Sequence, residues 1–539
     1  RKLAKERTVK NFKIEANKGN IYSADGSLLA TSIPNYEIRF DAVVPKTELF
    51  QRSVDSLADS LAYLLGKPSH FYENELRKAR AKKNRYFLIA RNLSYTDYVK
   101  IKGFPLFKAG ANKGGIIVAQ KTVREYPIGK IAERTIGYER VKPDGTPDGK
   151  GIEWAYRKYL NGKDGKILKQ KIAKGQWKPI RDLNEVDPID GYDVISTIDV
   201  FIQDIAHHAL LKQLEEYDAE HGCVVVMETK TGRIKAISNL GKATDGSYYE
   251  TQNYAITEAH DPGSTFKLVD LMAVLEDKVA DTSTVFDANG GIIRIHGKPV
   301  EDSHHGLGKV SLAHGFEVSS NTIMVQSVYN NYKNNPSKFI KHIEDWGLDK
   351  KIGLELKGEA TPKIPKPGEA GWSALSLPWM AFGYGINVTP MQTLTYYNSV
   401  ANNGVMVKPQ LVSEIKKWNS TIKKIEPQVI NPKVCSPETL KKIRVVLENV
   451  VRRGTAKSLY TKEFPMAGKT GTAQMNYGNK SGSGMYYASS FVGYFPANKP
   501  QYTCIVVVHK PNTAHNNYYG ADVAGPVFKR IAQKIFTDA

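Results

Sequence analysis

Apolar and polar residues alternate through most of residues 1–46. In "GNIYSADGSLLATSIPNYEIRFDAVV" two alternating runs flank Asp25-Gly26, which predicts strands joined by a turn. The period then lengthens. In "ELFQRSVDSLADSLAYLL", Leu49, Val54, Leu57, Leu61, Leu64 and Leu65 fall near one stripe, so a small helical subdomain is expected over about 47–102. From about 112 to 190 the pattern is mixed and rich in turns, with "KPDGTPDGKG" a surface loop. Regularity returns near 191. Asp193–Thr197 reads as a strand and Asp199 as an N-cap. Ile202, Ala206, Ala209, Leu210 and Leu214 then mark a long amphipathic helix. Two apolar strands follow, "CVVVME" and "RIKAIS". The short link between them contains Lys230-Thr231-Gly232, as a hairpin requires. The pattern therefore divides the chain at about 190, into a β-rich segment 1–190 and a mixed α+β segment 191–539.

Composition narrows the picture only a little. A hydrophobic content of 41% over 539 residues is that of a chain with a large core. Lys and Arg number 76 against 55 Asp and Glu, a net +21, which suits a polyanionic neighbour. The basic residues are scattered and no helix-turn-helix, zinc-finger or RNP pattern is present, so nucleic acid is not the expected partner. Cys223, Cys435 and Cys504 show no CxxC or metal-ligand spacing. No apolar run reaches the ~18 residues of a membrane span, and "CIVVVH" reads as a buried strand. The chain opens on Arg1 with no signal peptide, so a trimmed upstream anchor is expected.

Candidate chemistry comes from three short motifs. A serine nucleophile needs a base nearby. Ser-x-x-Lys supplies one on a helix, where i and i+3 share a face, and not on a strand, where they oppose. Ser413–Lys416 lies in the strand-like "LVSEIKKW" and Ser420–Lys423 starts in the turn "NST"; both read as chance matches. Ser264–Lys267 is different. It sits in "HDPGSTFKLVDLMAVLED", where Pro262-Gly263 ends a loop and Phe266, Leu268, Val269, Met272 and Leu275 begin a helix. Free N–H groups and the helix dipole would favour an anion at Ser264. Lys267 is a base only if burial or a neighbouring cation lowers its pKa; otherwise Ser264 is a plain N-cap.

Two further motifs bear on that choice. Ser319-Ser320-Asn321 is the only Ser-x-Asn in the chain. It is either a cap, or a pair in which Ser319 relays a proton and Asn321 orients Lys267 and a substrate carbonyl. The second Lys-Thr-Gly, Lys469-Thr470-Gly471, is bordered by Ala467, Gly468 and Ala473. Small residues on a strand suit the close approach of a ligand or backbone. Lys469 offers a cation for a carboxylate and a means of depressing Lys267. The N–H groups of Ser264 and Thr472 are candidates for an oxyanion hole. His304-His305 lacks a third metal ligand and reads as a polar loop, with Glu301 and Asp302 as possible rim residues. "NYGNKSGSGMYYASSF" is either a mobile loop over the cleft or a hairpin in which Tyr486 and Tyr487 pack.

Ser-x-x-Lys, Ser-x-Asn and Lys-Thr-Gly, in that order, resemble the penicillin-binding and serine β-lactamase superfamily. "PGSTFK", "SSN" and "AGKTGTAQ" look specifically like a class B penicillin-binding protein. "KGNIYSADGSLLA" is similar to that family's N-terminal box, with Lys18 for its usual Arg and Ser23 for its usual Asp. Arg124-Glu125-Tyr126-Pro127 and Gly151-Ile152-Glu153 look like its second and third boxes. Gly383-Tyr384-Gly385 resembles division-type members, where elongation-type members, the alternative within the class, usually show Gly-Gln-Gly, and "GPVFKRIAQKIF" resembles division- or sporulation-type members.

The resemblance implies a transpeptidase domain of α/β-sandwich type over 191–539, behind an elongated non-catalytic pedestal over 1–190. It implies D-Ala-D-Ala transpeptidation on peptidoglycan stem peptides and their lipid-linked precursor, through a Ser264 acyl-enzyme. The other parts fall to Lys267, Ser319, Asn321 and Lys469, with Thr470, Gly471 and Thr472 holding the substrate. β-Lactams would acylate Ser264, and no cofactor or metal is implied. An N-terminal membrane anchor, an extracytoplasmic catalytic domain, a polytopic glycosyltransferase and other division proteins are implied as its setting. A β-lactam hydrolase or sensor and a non-enzymatic division scaffold are the competing expectations.

Overall fold

The computed structural model describes residues 9–171, 177–179, 186–476, 484–512 and 517–537. Two compact units are present. One is formed by Arg1–Asn20, Ala30–Pro127 and Gly162–Gly191, the other by Ile21–Leu29, Ile128–Asn161 and Tyr192–Ala539.

In the first unit the strand Leu28–Phe40 pairs antiparallel with Ile116–Glu125, from Thr31↔Glu125 to Phe40↔Ile116. The helices Thr47–Leu65, Ser69–Ala81 and Tyr95–Lys102 carry the expected helical character. Phe50, Val54, Leu57 and Leu61 are buried against Ile38, Phe40, Leu76 and Phe107, while Leu49, Leu64 and Leu65 pack around them. One element differs from expectation. Phe87–Leu93 is a strand on Leu28–Phe40, pairing Phe87 with Phe40 and Ala90 with Ile38. A distant partner strand, not local periodicity, fixes that segment.

The second unit is built on a six-stranded antiparallel sheet. Its order is Tyr248–Tyr249, Ile234–Lys242, His221–Glu228, Tyr502–His509, Tyr486–Phe495 and Ala467–Met475. Consecutive residues Val224, Val225 and Val226, and Val506, Val507 and Val508, are all buried. Neighbours on a strand point to opposite faces, so both faces are covered, as in an α/β sandwich. Helices Val200–Glu216 and Gly525–Thr537 pack on each other and on the sheet; Pro390–Ala401 also packs on it. Asp199 caps the first of these, accepting the Ile202 N–H at 3.1 Å. The first Lys-Thr-Gly is the expected hairpin link, with Gly232 at φ +76° and the Lys408 carbonyl against it.

Both chance Ser-x-x-Lys copies lie on strands, Val412–Lys417 and Ser420–Lys424. Ser420 starts the second strand rather than a turn. Cys223, Cys435 and Cys504 are free thiols and buried.

Candidate active site

Ser264 sits in the single 3₁₀ turn Gly263–Phe266, which runs straight into the helix Lys267–Glu276. The turn is held on three sides. Thr265 donates to the Pro262 carbonyl at 2.9 Å. Tyr397 Oη donates to the Thr265 carbonyl at 2.7 Å. Gly263 N–H donates to the Gly383 carbonyl at 3.1 Å. Lys267 lies one helical turn on and is fully buried.

Its Nζ meets Asn321 Oδ1 at 2.6 Å, the Ser319 carbonyl at 2.8 Å and Ser319 Oγ at 3.2 Å. None of its hydrogen bonds runs to Ser264. Catalytic contacts of this kind often close only when substrate arrives. Burial pulls the Lys267 amine down to about 7, against the opposing pull of the Asp302 and Asp270 carboxylates. An amine near neutrality is a base at physiological pH.

Ser319-Ser320-Asn321 is the junction of two helices, Leu312–Glu317 and Asn321–Tyr332, rather than the middle of one. Ser320 is the cap, accepting the Ile323 N–H at 3.1 Å. Ser319 adopts φ +58°, a left-handed conformation that few non-glycine residues take. That turn places its hydroxyl between two amines, since Lys469 Nζ donates to the same Oγ at 2.9 Å. Asn321 Oδ1 orients Lys267, and its Nδ2 gives one of its two hydrogens to the Glu301 carbonyl at 2.7 Å, leaving the second N–H as a donor.

Lys469, Thr470, Gly471 and Thr472 lie on Ala467–Met475, the last strand of the sheet. Lys469 is fully buried and bonds Ser319 and the Thr470 carbonyl. It does not line the cleft. Burial lowers the Lys267 amine, and burial together with the neighbouring Lys267 charge holds Lys469 well below the ordinary lysine range. Thr470 Oγ1 and Thr455 Oγ1 are 2.7 Å apart.

Two features of this strand bear on an oxyanion. Gln474 N–H leaves the strand's outer edge to reach Tyr384 Oη at 2.8 Å. Amide directions alternate, so the Thr472 N–H points off the same edge. Gly471 is demanded by approach: a Cβ there would sit 2.2 Å from Ser490 Oγ and 2.9 Å from Thr265 Cγ2.

Ser264, Ser319, Asn321, Thr470 and Thr472 line one cleft of about 750 Å³. His304 and His305 also lie on its wall, as do Tyr384, Thr455 and Tyr519. Asp302 lies on the same wall and also braces the Ser-x-Asn turn. It accepts Ser320 Oγ–H at 2.8 Å, Thr322 N–H at 2.8 Å and Thr322 Oγ1–H at 3.1 Å. Of the aromatic stretch after Lys-Thr-Gly, residues 477–483 lie outside the described residues. Tyr487 stacks on Tyr518 with centroids 3.9 Å apart, and Tyr486 packs against Ala473, Met475 and Ala488.

Residues 222–533 match the penicillin binding protein transpeptidase domain, and residues 13–196 match the penicillin-binding protein dimerisation domain. The chain belongs to the class B penicillin-binding proteins. It is similar to stage V sporulation protein D of Bacillus subtilis strain 168, 28% identical over 548 residues, spanning 98% of this chain and 79% of that protein. It is similar to peptidoglycan D,D-transpeptidase FtsI of Escherichia coli K12, 26% identical over 547 residues, spanning 98% of this chain and 85% of that protein. Two solved structures share its fold. Penicillin binding protein 2X from Streptococcus thermophilus has a TM-score of 0.77 at 21% identity, covering 97% of this chain and 79% of that one. Penicillin binding protein 3 from Mycobacterium tuberculosis, complexed with aztreonam, has a TM-score of 0.69 at 21% identity, covering 98% and 97%.

The sequence reading missed what supports the Ser-x-Asn turn. Glu317, buried just before it, accepts Arg453 Nε at 2.9 Å, Arg453 Nη2 at 3.0 Å and Asn449 Nδ2 at 3.1 Å. Asp302 clamps the turn from the other side and is the larger of the two charges raising Lys267. Asp302→Asn keeps an acceptor for Thr322 N–H while removing that charge. The expected result is that the acid limb of the penicillin-acylation rate moves to lower pH, read from labelling rates across a pH series. An unmoved limb would remove Asp302 from the electrostatics of the site.

Proposed function

We propose that the chain is a serine-type peptidoglycan D,D-transpeptidase of septal wall synthesis, with Ser264 as its nucleophile. The carrying observation is the convergence of two buried amines, Lys267 and Lys469, on the Ser319 hydroxyl at 3.2 and 2.9 Å, in the cleft that exposes Ser264. Neutral Lys267 takes the Ser264 proton as Oγ attacks the carbonyl between the last two D-alanines of a stem peptide. The N–H groups of Ser264 and Thr472 receive the oxyanion. Thr470 and Thr472 hold the terminal carboxylate on the cleft wall, with Lys469 behind them. The proton held by Lys267 passes through Ser319 to the departing D-alanine nitrogen, leaving an acyl ester on Ser264. An amine from a second stem peptide then attacks the ester and restores the serine.

Relatives named FtsI and stage V sporulation protein D support the septal reading, as does the resemblance of Gly383-Tyr384-Gly385 to division-type members. The setting that this reading carries is the outer face of the cell membrane, with an N-terminal anchor and a polytopic glycosyltransferase partner. Among the described residues no helix is long and apolar enough to cross a membrane.

Intact-protein mass spectrometry after exposure to benzylpenicillin tests the assignment. The expected result is one long-lived penicilloyl adduct on the native chain and none on Ser264→Ala. An adduct on Ser264→Ala would move the nucleophile elsewhere. Rapid return of the unmodified mass would favour a β-lactam hydrolase.

A further inference from the structure

A second cluster of reactive side chains lies outside the cleft. His221 and His509 are register partners on adjacent strands, and their rings stack with centroids 4.3 Å apart and planes within 12°. Both turn Nε2 toward one carboxylate. His221 Nε2 lies 2.9 Å from Glu258 Oε2, and His509 Nε2 lies 3.4 Å from Glu258 Oε1. The three ligand atoms lie within 4.8 Å of one another.

His260 completes the group, its ring edge-on to His509 at 4.9 Å. Its Nδ1 is 2.9 Å from the Asp261 carbonyl. A carbonyl only accepts, so Nδ1 carries the hydrogen and Nε2 is a bare lone pair. That Nε2 is buried and has no hydrogen-bond partner among the described residues; nor has His509 Nδ1.

We propose that His221, Glu258 and His509 bind a divalent first-row cation, with Zn²⁺ the best match. Two imidazoles with one carboxylate form a zinc-type donor set. Glu220 stands behind one ligand, its Oε1 3.6 Å from His221 Nδ1. Bonds of ~2.1 Å bring tetrahedral ligand atoms to ~3.4 Å, so ion binding swings the two stacked imidazoles out of their parallel arrangement until both ring planes contain the ion. Both ends of the cluster have structural meaning. His221 and His509 are fixed in the central sheet, whereas Glu258 and His260 belong to the segment leading directly to Ser264. The cation pins that segment to the sheet and takes no part in acyl transfer.

The test titrates Co²⁺ and then Zn²⁺ into the chelator-stripped full chain. The expected result is one saturable equivalent, a strong tetrahedral Co²⁺ absorption spectrum and its loss when Zn²⁺ displaces the cobalt. His221→Asn and His509→Asn should each weaken binding by at least about 100-fold, since outer partners alone account for 10–100-fold. Penicillin labelling of Ser264 reports that these variants are folded. The double variant His304→Asn/His305→Asn should bind unchanged. The proposal fails on any of three results: no saturable binding, only a weak octahedral cobalt spectrum, or equal affinity in folded His221→Asn and His509→Asn chains.

Discussion

Lys267→Met is expected to slow acylation of Ser264 by a fluorescent penicillin by up to about 10⁴-fold, the full worth of a well-placed general base. The same experiment on the native chain should show a rate that rises with pH and levels off, with its acid limb near 7. The sign follows from the role. The amine accepts the serine proton only when neutral, so each pH unit below its pKa removes about nine-tenths of the active form. A solvent-exposed lysine would place that limb above 10. Here complete burial lowers the amine to about 7, although Asp302 and Asp270 both oppose the shift. Arginine cannot substitute, since a guanidinium stays protonated; Lys267→Arg should be as slow as Lys267→Met. A Lys267→Met chain labelling at the native rate would show that another group takes the proton, and a rate still climbing about tenfold per unit at pH 9 would show that burial does not depress Lys267. Rapid-mixing labelling between pH 5 and pH 9 reads all of these at once.

The elements visible in the sequence were those whose signal is local. Val200–Glu216 shows its period and its cap within one segment, and the Lys230-Thr231-Gly232 hairpin needs only two apolar strands and a polar link. The three motifs were legible as residue types, because a nucleophile, a base and a glycine-bordered strand each have a local context. What stayed hidden was set by distant partners. Phe87–Leu93 follows two helical stretches and becomes a strand because Leu28–Phe40 is beside it. The direction of Lys469 is likewise fixed from afar, by Ser319 at 2.9 Å across 150 positions of chain. Asp302 looks like a polar loop residue until the fold brings it under Ser320 and Thr322. The histidines at 221, 260 and 509 obey no ligand spacing, since antiparallel register, not sequence distance, brings 221 and 509 together.

Gly383-Tyr384-Gly385 shows how a family resemblance acquires a physical meaning. Gly383 has φ +86°, and a Cβ built on it would lie 1.9 Å from the Gly263 carbonyl oxygen and 2.5 Å from its carbon. Gly263 is itself at φ +59°, with Thr472 and Ala473 against it. Two left-handed glycines therefore meet back to back, immediately before the nucleophile. Tyr384 then holds the Gln474 N–H of the edge strand. Gly383→Ala forces apart backbone on both sides, with no flexible side chain to yield. Left-handed strain of about 1–2 kcal/mol adds to overpacking of about 1–3 kcal/mol. A displacement of even ~1 Å at Ser264 slows acylation by about 100-fold. Gly385→Ala is the matched control: its φ is +73° and nothing lies within 4 Å of its added Cβ. It carries the conformational strain alone, so it should lose stability by about 1–2 kcal/mol and acylate at close to the native rate. Thermal denaturation and penicillin labelling of the two variants separate the contributions. Equal losses in both would mean that the contact with Gly263 does not set the position of Ser264.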